Sequence, residues 1–340
     1  MAIMPHLLRK KMETIDVTLR ESVYCNEFIS LELGLEMIRK LSLAGIDYIE
    51  IGYLKKDCIT KSLFLNYNRE YINKAYSFSK GKAKLSAMIH PEDFYSNDWD
   101  LPTLKKLFLI RICINEKNIN QMEPLVNFFH KIGLQVSLNL THASRYNVNK
   151  CLIMAKIAIK NQADFFYLAD SNGNFLPEDV ASRIKTLTKN VGNKIKIGFH
   201  PHDNLALVQI NALEALENGA VIIDSSIQGF GKGSGNLRTE MFPLLFLRKN
   251  INYSAKYNIS ELFKIARHFN NKITKIKNFE EQYKYSLLGM KNFGLKEDKE
   301  LSGLAKVNNI KDYDLVLLFI NKYDCNLNKL IDGLKLKTIR

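Results

Sequence analysis

The stretch KIKIGFHPHDNLALVQINALEALENGAVIIDSS (Lys194–Ser226) contains the three parts of a parallel strand repeat. Lys194–Phe199 has the composition of a strand, Asn204–Gly219 has apolar residues at helical spacing, and Ala220–Ser226 is again rich in β-formers. Parallel strands need a crossover connection of this kind, because a short hairpin cannot join them. The stretch therefore predicts one unit of an α/β fold with a parallel sheet.

The same alternation runs through roughly the first 250 residues, a length typical of a closed α/β barrel. Eight β-rich segments are predicted as strands: Glu13–Leu19, Asp47–Tyr53, Ala83–Ile89, Lys105–Ile114, Leu134–Leu140, Asp164–Asp170, Lys194–Phe199 and Ala220–Ser226. Helical segments lie between most of them, such as Ser30–Gly45, where Ser30 is a candidate N-cap. The pattern predicts a (β/α)8 TIM barrel. The alternative, an open doubly wound sheet, lacks a glycine-rich fingerprint after the first strand.

The pattern changes after Asn250, where helices with lysine-rich connections follow and no convincing strand appears. We therefore predict two parts. Residues 1–250 form a TIM-barrel, metal-dependent catalytic domain, and residues 251–340 form a small helical C-terminal region packed beside the barrel.

Composition argues against several classes of protein. The net charge of +14 invites a nucleic-acid partner, but the lysines are spread along the chain and no nucleic-acid-binding motif appears. No run of about 18 apolar residues is present, so no membrane span is expected. The apolar N-terminal stretch is too short for a signal peptide, and the five cysteines have no paired spacing. We expect a cytoplasmic protein without nucleic-acid or membrane partners.

His200 and His202 follow the seventh predicted strand. Side chains two residues apart on a strand point to the same side, so both imidazoles can reach one point. Two imidazoles that converge on one point can supply two ligands of a divalent-metal site. Two unrelated surface histidines on a loop are the alternative.

In a (β/α)8 barrel the active site lies at the C-terminal ends of the strands. The polar residues that the sequence places there are Arg20, Glu21, Glu50, Tyr53, His90, Asn139, His142, Asp170, His200 and His202. A structural scaffold would not need so many polar groups at one rim. Glu50, Asn139 and Asp170 are therefore candidates for substrate binding, although Asp170 could simply start a turn with Asn172 and Gly173.

Glu21 with the two histidines makes a carboxylate plus two imidazoles, which leaves open positions on a metal for substrate. A metal held in this way can take a bidentate 2-oxo acid and stabilise an enolate next to the carbonyl. Arg20 could add a fixed positive charge on the same oxygen. An ordinary surface ion pair between Arg20 and Glu21 is the alternative.

The segment Gly229–Asn236 is a glycine-rich loop after the last predicted strand. Glycine permits close backbone approach, so Gly231 and Gly233 could help to cradle a carboxylate or a phosphate. A flexible connector is an equally good interpretation of the loop alone.

Four ordered segments resemble the metal-dependent DRE-TIM metallolyase superfamily (HMGL-like). These segments are DVTLRES (Asp16–Ser22), IEIGY (Ile49–Tyr53), GFHPHDNLAL (Gly198–Leu207) and IDSSIQGFGKGSGNLRTE (Ile223–Glu240). The branch that the chain resembles most is that of the 4-hydroxy-2-oxovalerate aldolases.

The resemblance implies Glu21, His200 and His202 as metal ligands, Asn236 as a fourth, and Arg20 as the cation that stabilises the enolate. Two departures concern the chemistry. Glu21 stands where the aldolases have Asp, and Tyr24 stands where the characterised aldolase has its catalytic histidine. Tyr24 or His142 could replace that histidine as the proton relay.

The resemblance implies a class II-like aldolase that makes or breaks a C–C bond next to a 2-oxo acid, through pyruvate enolate chemistry on a 4-hydroxy-2-oxo acid. Mn²⁺ is the expected cofactor, with Mg²⁺, Co²⁺ and Zn²⁺ as alternatives. A homodimer or a partner dehydrogenase are the candidate assemblies. Two other functions stay open: a synthase that condenses an acyl-CoA with a 2-oxo acid, and a degenerate barrel that acts as a binding protein.

Overall fold

A computed structural model describes residues 12–25, 29–55, 64, 67–94, 99–248, 256–273 and 279–338. Within them, the eight predicted strands are present and form a closed parallel barrel in sequence order. The strands are β1 (Glu13–Asp16), β2 (Tyr48–Tyr53), β3 (Lys84–Ile89), β4 (Leu109–Ile114), β5 (Gln135–Leu140), β6 (Phe165–Asp170), β7 (Lys196–Pro201) and β8 (Ile222–Ser225). Pairing of β1 with β8, from Glu13 with Ile222 to Asp16 with Ser225, closes the sheet. The predicted TIM barrel is confirmed.

Helices cover the outside of the barrel and continue beyond it. The helices that alternate with the strands or directly follow them are α1 (Thr18–Glu21), α2 (Leu31–Leu43), α3 (Arg69–Ser79), α4 (Leu101–Leu104), α5 (Glu123–Lys131), α6 (Val148–Lys160), α7 (Pro177–Val191), α8 (Val208–Glu217) and α9 (Phe242–Arg248). Those of the C-terminal region are α10 (Ile259–Ile273), α11 (Phe279–Met290), α12 (Leu295–Val307), α13 (Asp312–Asn321) and α14 (Leu327–Thr338).

Burial on both faces explains the apolar strands. All six residues of β2, β4 and β6 are buried, as expected for strands with helices outside and a filled barrel inside. Inward-facing Ile15, Tyr48, Leu109, Phe165 and Ile222 belong to one interior cluster. This packed interior supports the polar rim at the carboxyl ends of the strands.

Two strand boundaries differ from the prediction by three residues or more, and the others by two at most. β1 ends at Asp16 because its carboxylate accepts the backbone N–H of Thr18 at 3.1 Å and turns the chain into the short helix α1. Arg20 and Glu21 therefore project from a helical turn rather than from a strand. β4 begins at Leu109, and not at Lys105, because the residues that follow α4 form a turn, in which the backbone N–H groups of Lys106 and Leu107 donate to the carbonyls of Thr103 and Leu104.

The C-terminal region is helical, as predicted, and it has two kinds of packing. Leu262, Ile265 and Phe269 of α10 belong to the main hydrophobic core of the barrel. Helices α11–α14 enclose a second cluster of their own. The predicted division between residues 250 and 251 lies outside the described residues and stays a prediction.

Helices α11 and α12 do not pack simply beside the barrel, because they contact the loops after β5 and β6. Asn292 accepts hydrogen bonds from Ser144 Oγ at 2.8 Å and from Asn172 Nδ2 at 2.7 Å. Arg145 forms an ion pair with Glu297 at 3.0 Å. The C-terminal region therefore forms part of the wall around the barrel mouth. No helix in the described ranges is both long enough and apolar enough to cross a membrane.

Candidate active site and metal centre

Glu21, His200 and His202 meet at the mouth of the barrel, as the sequence predicts. Their ligand atoms all lie within 4.8 Å of one another, and the three side chains are buried. His200 Nε2 is 3.2 Å from His202 Nε2 and 3.8 Å from Glu21 Oε1. Two nitrogens bound at about 2.1 Å to one ion at a near right angle would be about 3 Å apart, so the spacing fits a divalent metal.

A carboxylate orients the first imidazole. His200 Nδ1 donates to Asp224 Oδ2 on β8 at 2.8 Å, so the proton sits on Nδ1 and the Nε2 lone pair faces the other ligands. Burial, together with the neighbouring His200, lowers the pKa of His202 well below its usual value. His202 is therefore neutral at neutral pH, which is the form that binds metal.

Asn236 adds a fourth oxygen. Its side chain is buried, and its Nδ2 donates to the carbonyl of Phe230 at 3.1 Å. Its Oδ1 has no hydrogen-bond partner within the described part of the chain. An unsatisfied buried acceptor costs free energy, and a bound cation would remove that cost. Asn236 also forms an isolated antiparallel bridge with His202, which places both residues at one point of the rim.

The candidate metal ligands Glu21 and Asn236 lie close together at Gly231. Its φ is +154°, and a Cβ there would lie 2.1 Å from Asn236 Nδ2 and 2.7 Å from Glu21 Oε2. No side chain fits between these two groups. Position 231 therefore requires glycine because its neighbours leave no room for a side chain. This close packing argues against the interpretation of the loop as a flexible connector.

A ring of alternating charges surrounds the site. Glu50 accepts a hydrogen bond from Arg20 Nε at 2.7 Å and forms an ion pair with Arg111 at 3.1 Å. Arg111 forms a second ion pair, with Asp224, at 2.5 Å. Arg20 also pairs with Glu21. Burial opposes ionisation of Glu21, but Arg20 and the two histidines lower its pKa to about 2. The ring thus keeps Glu21 ionised and holds Arg20 in place; Glu50, predicted to bind substrate, serves here as a support for Arg20.

Tyr24 lies beside this ring but is unsuited to the role of a base. Its hydroxyl is 2.5 Å from that of Tyr53, which stacks on His90 with ring centroids 5.5 Å apart. Arg20 on its own would lower the pKa of Tyr24. Desolvation of the hydroxyl beside Tyr53 outweighs this effect and raises the pKa to about 12, although the residue as a whole is 41% exposed. Tyr24 is therefore a proton donor at neutral pH.

His142, in contrast to Tyr24, is suited to accept a proton. It follows β5 in a left-handed conformation, with φ of +52°, and its Nδ1 lies 3.1 Å from Asn172 Oδ1. Because Asn172 Nδ2 donates to Asn292, the oxygen must face His142, so Nδ1 carries the proton and Nε2 is the acceptor. Burial and the nearby Lys232 and Arg145 lower the pKa of His142 to about 4, which keeps the imidazole neutral.

Three other predicted site residues have mainly structural partners, and two of them lie on strands. Asn139 is buried against Ser137, and in its favoured amide orientation it accepts from Arg111. Both carboxylate oxygens of Asp170 accept backbone N–H groups, those of Asn174 and Phe175, at 3.0 Å. This contact favours the turn interpretation of Asp170.

Gly233, the third of these residues and the second glycine predicted to line the site, packs against Asn204. A Cβ at Gly233 would lie 2.5 Å from Asn204 Oδ1. Its φ of +63° also favours glycine, so the residue shapes the loop.

Three residues of the site are not predicted from the sequence. Asp224 is the last residue but one of β8 and could have been found by the strand-end rule, since it lies in the last predicted strand. Arg111 is a charged residue inside the apolar strand IRICI, which is itself a signal. Lys232 lies within the glycine-rich loop, and its backbone N–H donates to Glu21 Oε2 at 3.0 Å.

Comparison with known proteins agrees with this geometry. Residues 111–268 match the HMGL-like family model. The chain is 28% identical to an oxaloacetate decarboxylase from Mycobacterium tuberculosis, over 74% of each chain. It is also 28% identical to a 4-hydroxy-2-oxovalerate aldolase from Pseudoalteromonas translucida, over 75% of this chain and 74% of the other. Residues 111–268 are therefore similar to the HMGL-like family.

The solved structure of the N-terminal domain of an aldolase-like protein from Bacteroides vulgatus has the same fold. It superimposes with a TM-score of 0.68 at 26% identity, over 86% of this chain and 96% of that one. The HMGL-like match includes β7 with both histidines and the whole glycine-rich loop, whereas Arg20 and Glu21 lie before it. The predicted resemblance to the HMGL-like proteins of the DRE-TIM superfamily is confirmed.

Proposed function

We propose that this HMGL-like chain is a divalent-metal-dependent lyase that makes or breaks a C–C bond next to a 2-oxo acid, by way of an enolate. The observation that carries the proposal is the meeting of Glu21, His200 and His202 with the unpartnered Oδ1 of Asn236 and the guanidinium of Arg20. A divalent metal in this site would act as a Lewis acid towards the substrate carbonyl. Mn²⁺ is our first choice.

Arg20 is the residue that would stabilise negative charge on the enolate oxygen. Glu50 accepts its Nε, so the guanidinium plane is fixed before substrate binds. A donor that is already oriented needs no reorganisation when charge develops, which is the source of its catalytic effect. Aldol cleavage and loss of CO₂ from the carbon next to the keto group both leave the bonding electron pair on that carbon as an enolate, so the same arrangement suits either reaction.

Two residues on the rim, His142 and Tyr24, are the candidates for proton transfer. His142 is neutral with a free Nε2 lone pair, so we assign it the role of proton acceptor. Tyr24 keeps its proton and can donate a hydrogen bond or a proton. In the cleavage direction, His142 would take the proton of the substrate's 4-hydroxyl group, and Tyr24 would return a proton to the enolate carbon.

Exchange of the methyl protons of pyruvate with deuterated solvent tests this proposal, with mass spectrometry as the readout. The wild-type protein with Mn²⁺ should exchange them without any aldehyde present. The double variant His200→Ala/His202→Ala should lose both exchange and bound metal while remaining folded by circular dichroism. His130→Ala is a matched control, because His130 pairs with Asp164 just before β6 begins, at the opposite end of the barrel. The proposal is wrong if metal-loaded wild-type protein exchanges no 2-oxo acid.

A further inference from the structure

Lys232 extends from the metal-binding residues to the loop after β6. Its backbone N–H donates to Glu21 Oε2 at 3.0 Å, while its Nζ donates to the carbonyl of Ser171 at 2.8 Å. No carboxylate of the described residues forms an ion pair with this Nζ.

The other cations around the mouth are paired with acids. Arg20 pairs with Glu50 at 2.7 Å and Arg111 with Asp224 at 2.5 Å. A desolvated charge is costly unless it is paired. Lys232 differs from both arginines, because its one side-chain hydrogen bond goes to a neutral backbone carbonyl.

Besides Glu21, two acids interact electrostatically with Lys232, and both have other partners. Asp170 accepts two backbone N–H groups, and Asp298 pairs with Lys284 at 2.6 Å. Neither acid therefore serves as the counterion of the Lys232 ammonium group. A negatively charged ligand is the remaining partner of matching chemistry.

The charges of the site indicate how much negative charge it accepts. Arg20, Arg111 and Lys232 balance the three acids of the ring, Glu21, Glu50 and Asp224. A divalent metal then leaves two positive charges in excess. A 2-oxo monocarboxylate supplies one negative charge, so a second anionic group would complete the balance.

Lys232 also borders a space where such a group could lie. A small cleft runs between the glycine-rich loop and the C-terminal helices, and its wall includes Ser171, Asn204, Lys232, Phe293 and Asp298, whose carboxylate is neutralised by its ion pair with Lys284. We propose that Lys232 binds a second carboxylate at the far end of the substrate, so that the site takes 2-oxo dicarboxylic acids in preference to 2-oxo monocarboxylic acids. This inference rests on the proposed function for the 2-oxo acid head of the substrate.

Matched ligands separate the contribution of the second carboxylate. 2-Oxoglutarate and 2-oxovalerate have the same length and differ in a terminal carboxylate against a methyl group; oxaloacetate and 2-oxobutyrate make a second such pair. Isothermal titration calorimetry on the Mn²⁺-loaded protein gives the affinity for each. Wild type should bind the dicarboxylate of each pair more tightly, by about 10- to 100-fold, as expected for a charge-assisted hydrogen bond.

Lys232→Met should remove this preference and leave the affinity for the monocarboxylates within about three-fold, whereas Lys232→Arg should retain most of it. Lys296→Met is the control for net charge, because the Lys296 side chain is 84% exposed on α12. Equal weakening of both ligand classes in Lys232→Met would overturn the inference, since Lys232 would then bind the carboxylate of the 2-oxo head. An unchanged preference would overturn it too. Because calorimetry reports binding, either result can occur with pyruvate exchange intact, which separates this failure from that of the proposed function.

Discussion

Asp224 on β8 accepts the Nδ1 proton of His200 on β7 at 2.8 Å, although 24 residues separate them in sequence. The same carboxylate is held by Arg111 on β4 from across the barrel. Burial opposes its ionisation, but Arg111 and His200 hold the pKa of Asp224 below its usual value. The orientation of one metal-binding imidazole is therefore set by an ion pair that crosses the barrel interior.

Replacement of Asp224 should weaken metal binding without removing a ligand. In Asp224→Asn the amide oxygen can still accept from His200, but the negative charge that makes the imidazole a stronger ligand is lost. We expect affinity for Mn²⁺ to fall about 10- to 100-fold, the usual effect of losing such a partner. Titration of Mn²⁺ into metal-free protein measures it. Asp314→Asn on α13 is the control for loss of one charge, and equal affinities in the two variants would contradict the role of Asp224.

Gly231 provides a test of the close packing in the metal centre. In Gly231→Ala the new methyl group would overlap Asn236 Nδ2 and crowd Glu21, so at least one of these residues must move. We expect at least about a ten-fold loss of Mn²⁺ affinity, comparable to the loss of an orienting contact.

Gly81→Ala is the matched control for Gly231→Ala. Gly81 also has a positive φ, of +66°, but no atom lies within 4 Å of the position that a Cβ would take, so only the backbone cost of about 1 kcal/mol should appear. A Gly231→Ala protein that bound Mn²⁺ as tightly as Gly81→Ala would show that Glu21 or Asn236 is not a ligand.

Sequence patterns predict the barrel well because each strand is buried on both faces and reads as an apolar run, as in the six residues of β4. The metal-binding residues could also be predicted, because strand ends converge in a barrel whatever the loops do. The environment of each side chain in the site could not be predicted from the sequence. The high pKa of Tyr24 comes from burial beside Tyr53, and the tautomer of His142 depends on Asn292, which is 150 residues later. Such contacts between distant segments leave no periodic signal in the sequence.

Asp16 should make the stability of the barrel depend on pH. It is fully buried on β1, and burial raises its pKa from 3.8 to about 6, against the hydrogen bonds from Thr18 and Thr239. An acid whose pKa is higher in the folded state stabilises that state below its unfolded pKa and loses this contribution as pH rises through the folded pKa. The contribution of Asp16 to the free energy of unfolding should therefore fall by about 2 kcal/mol between pH 4 and pH 6.

Urea unfolding at several pH values measures this effect. Asp16→Asn cannot ionise, so its free energy of unfolding should lack this fall relative to wild type across the same interval. Parallel pH profiles of the two proteins would mean that Asp16 is not the group responsible.

Variants of His142 and Tyr24 should distinguish the roles of the two proton-transfer residues. Loss of the imidazole in His142→Ala should slow cleavage of a 4-hydroxy-2-oxo acid by about 10²- to 10⁴-fold, the usual contribution of a positioned acid or base. The wild-type rate should fall as pH drops through about 4, because His142 must be neutral to accept a proton. Tyr24→Phe should slow protonation of the enolate, and its hydroxyl should impose no pH dependence below about 12. Single-turnover rates, with metal content measured at each pH, distinguish these effects from loss of the metal. Full activity in both variants would mean that neither residue moves the proton.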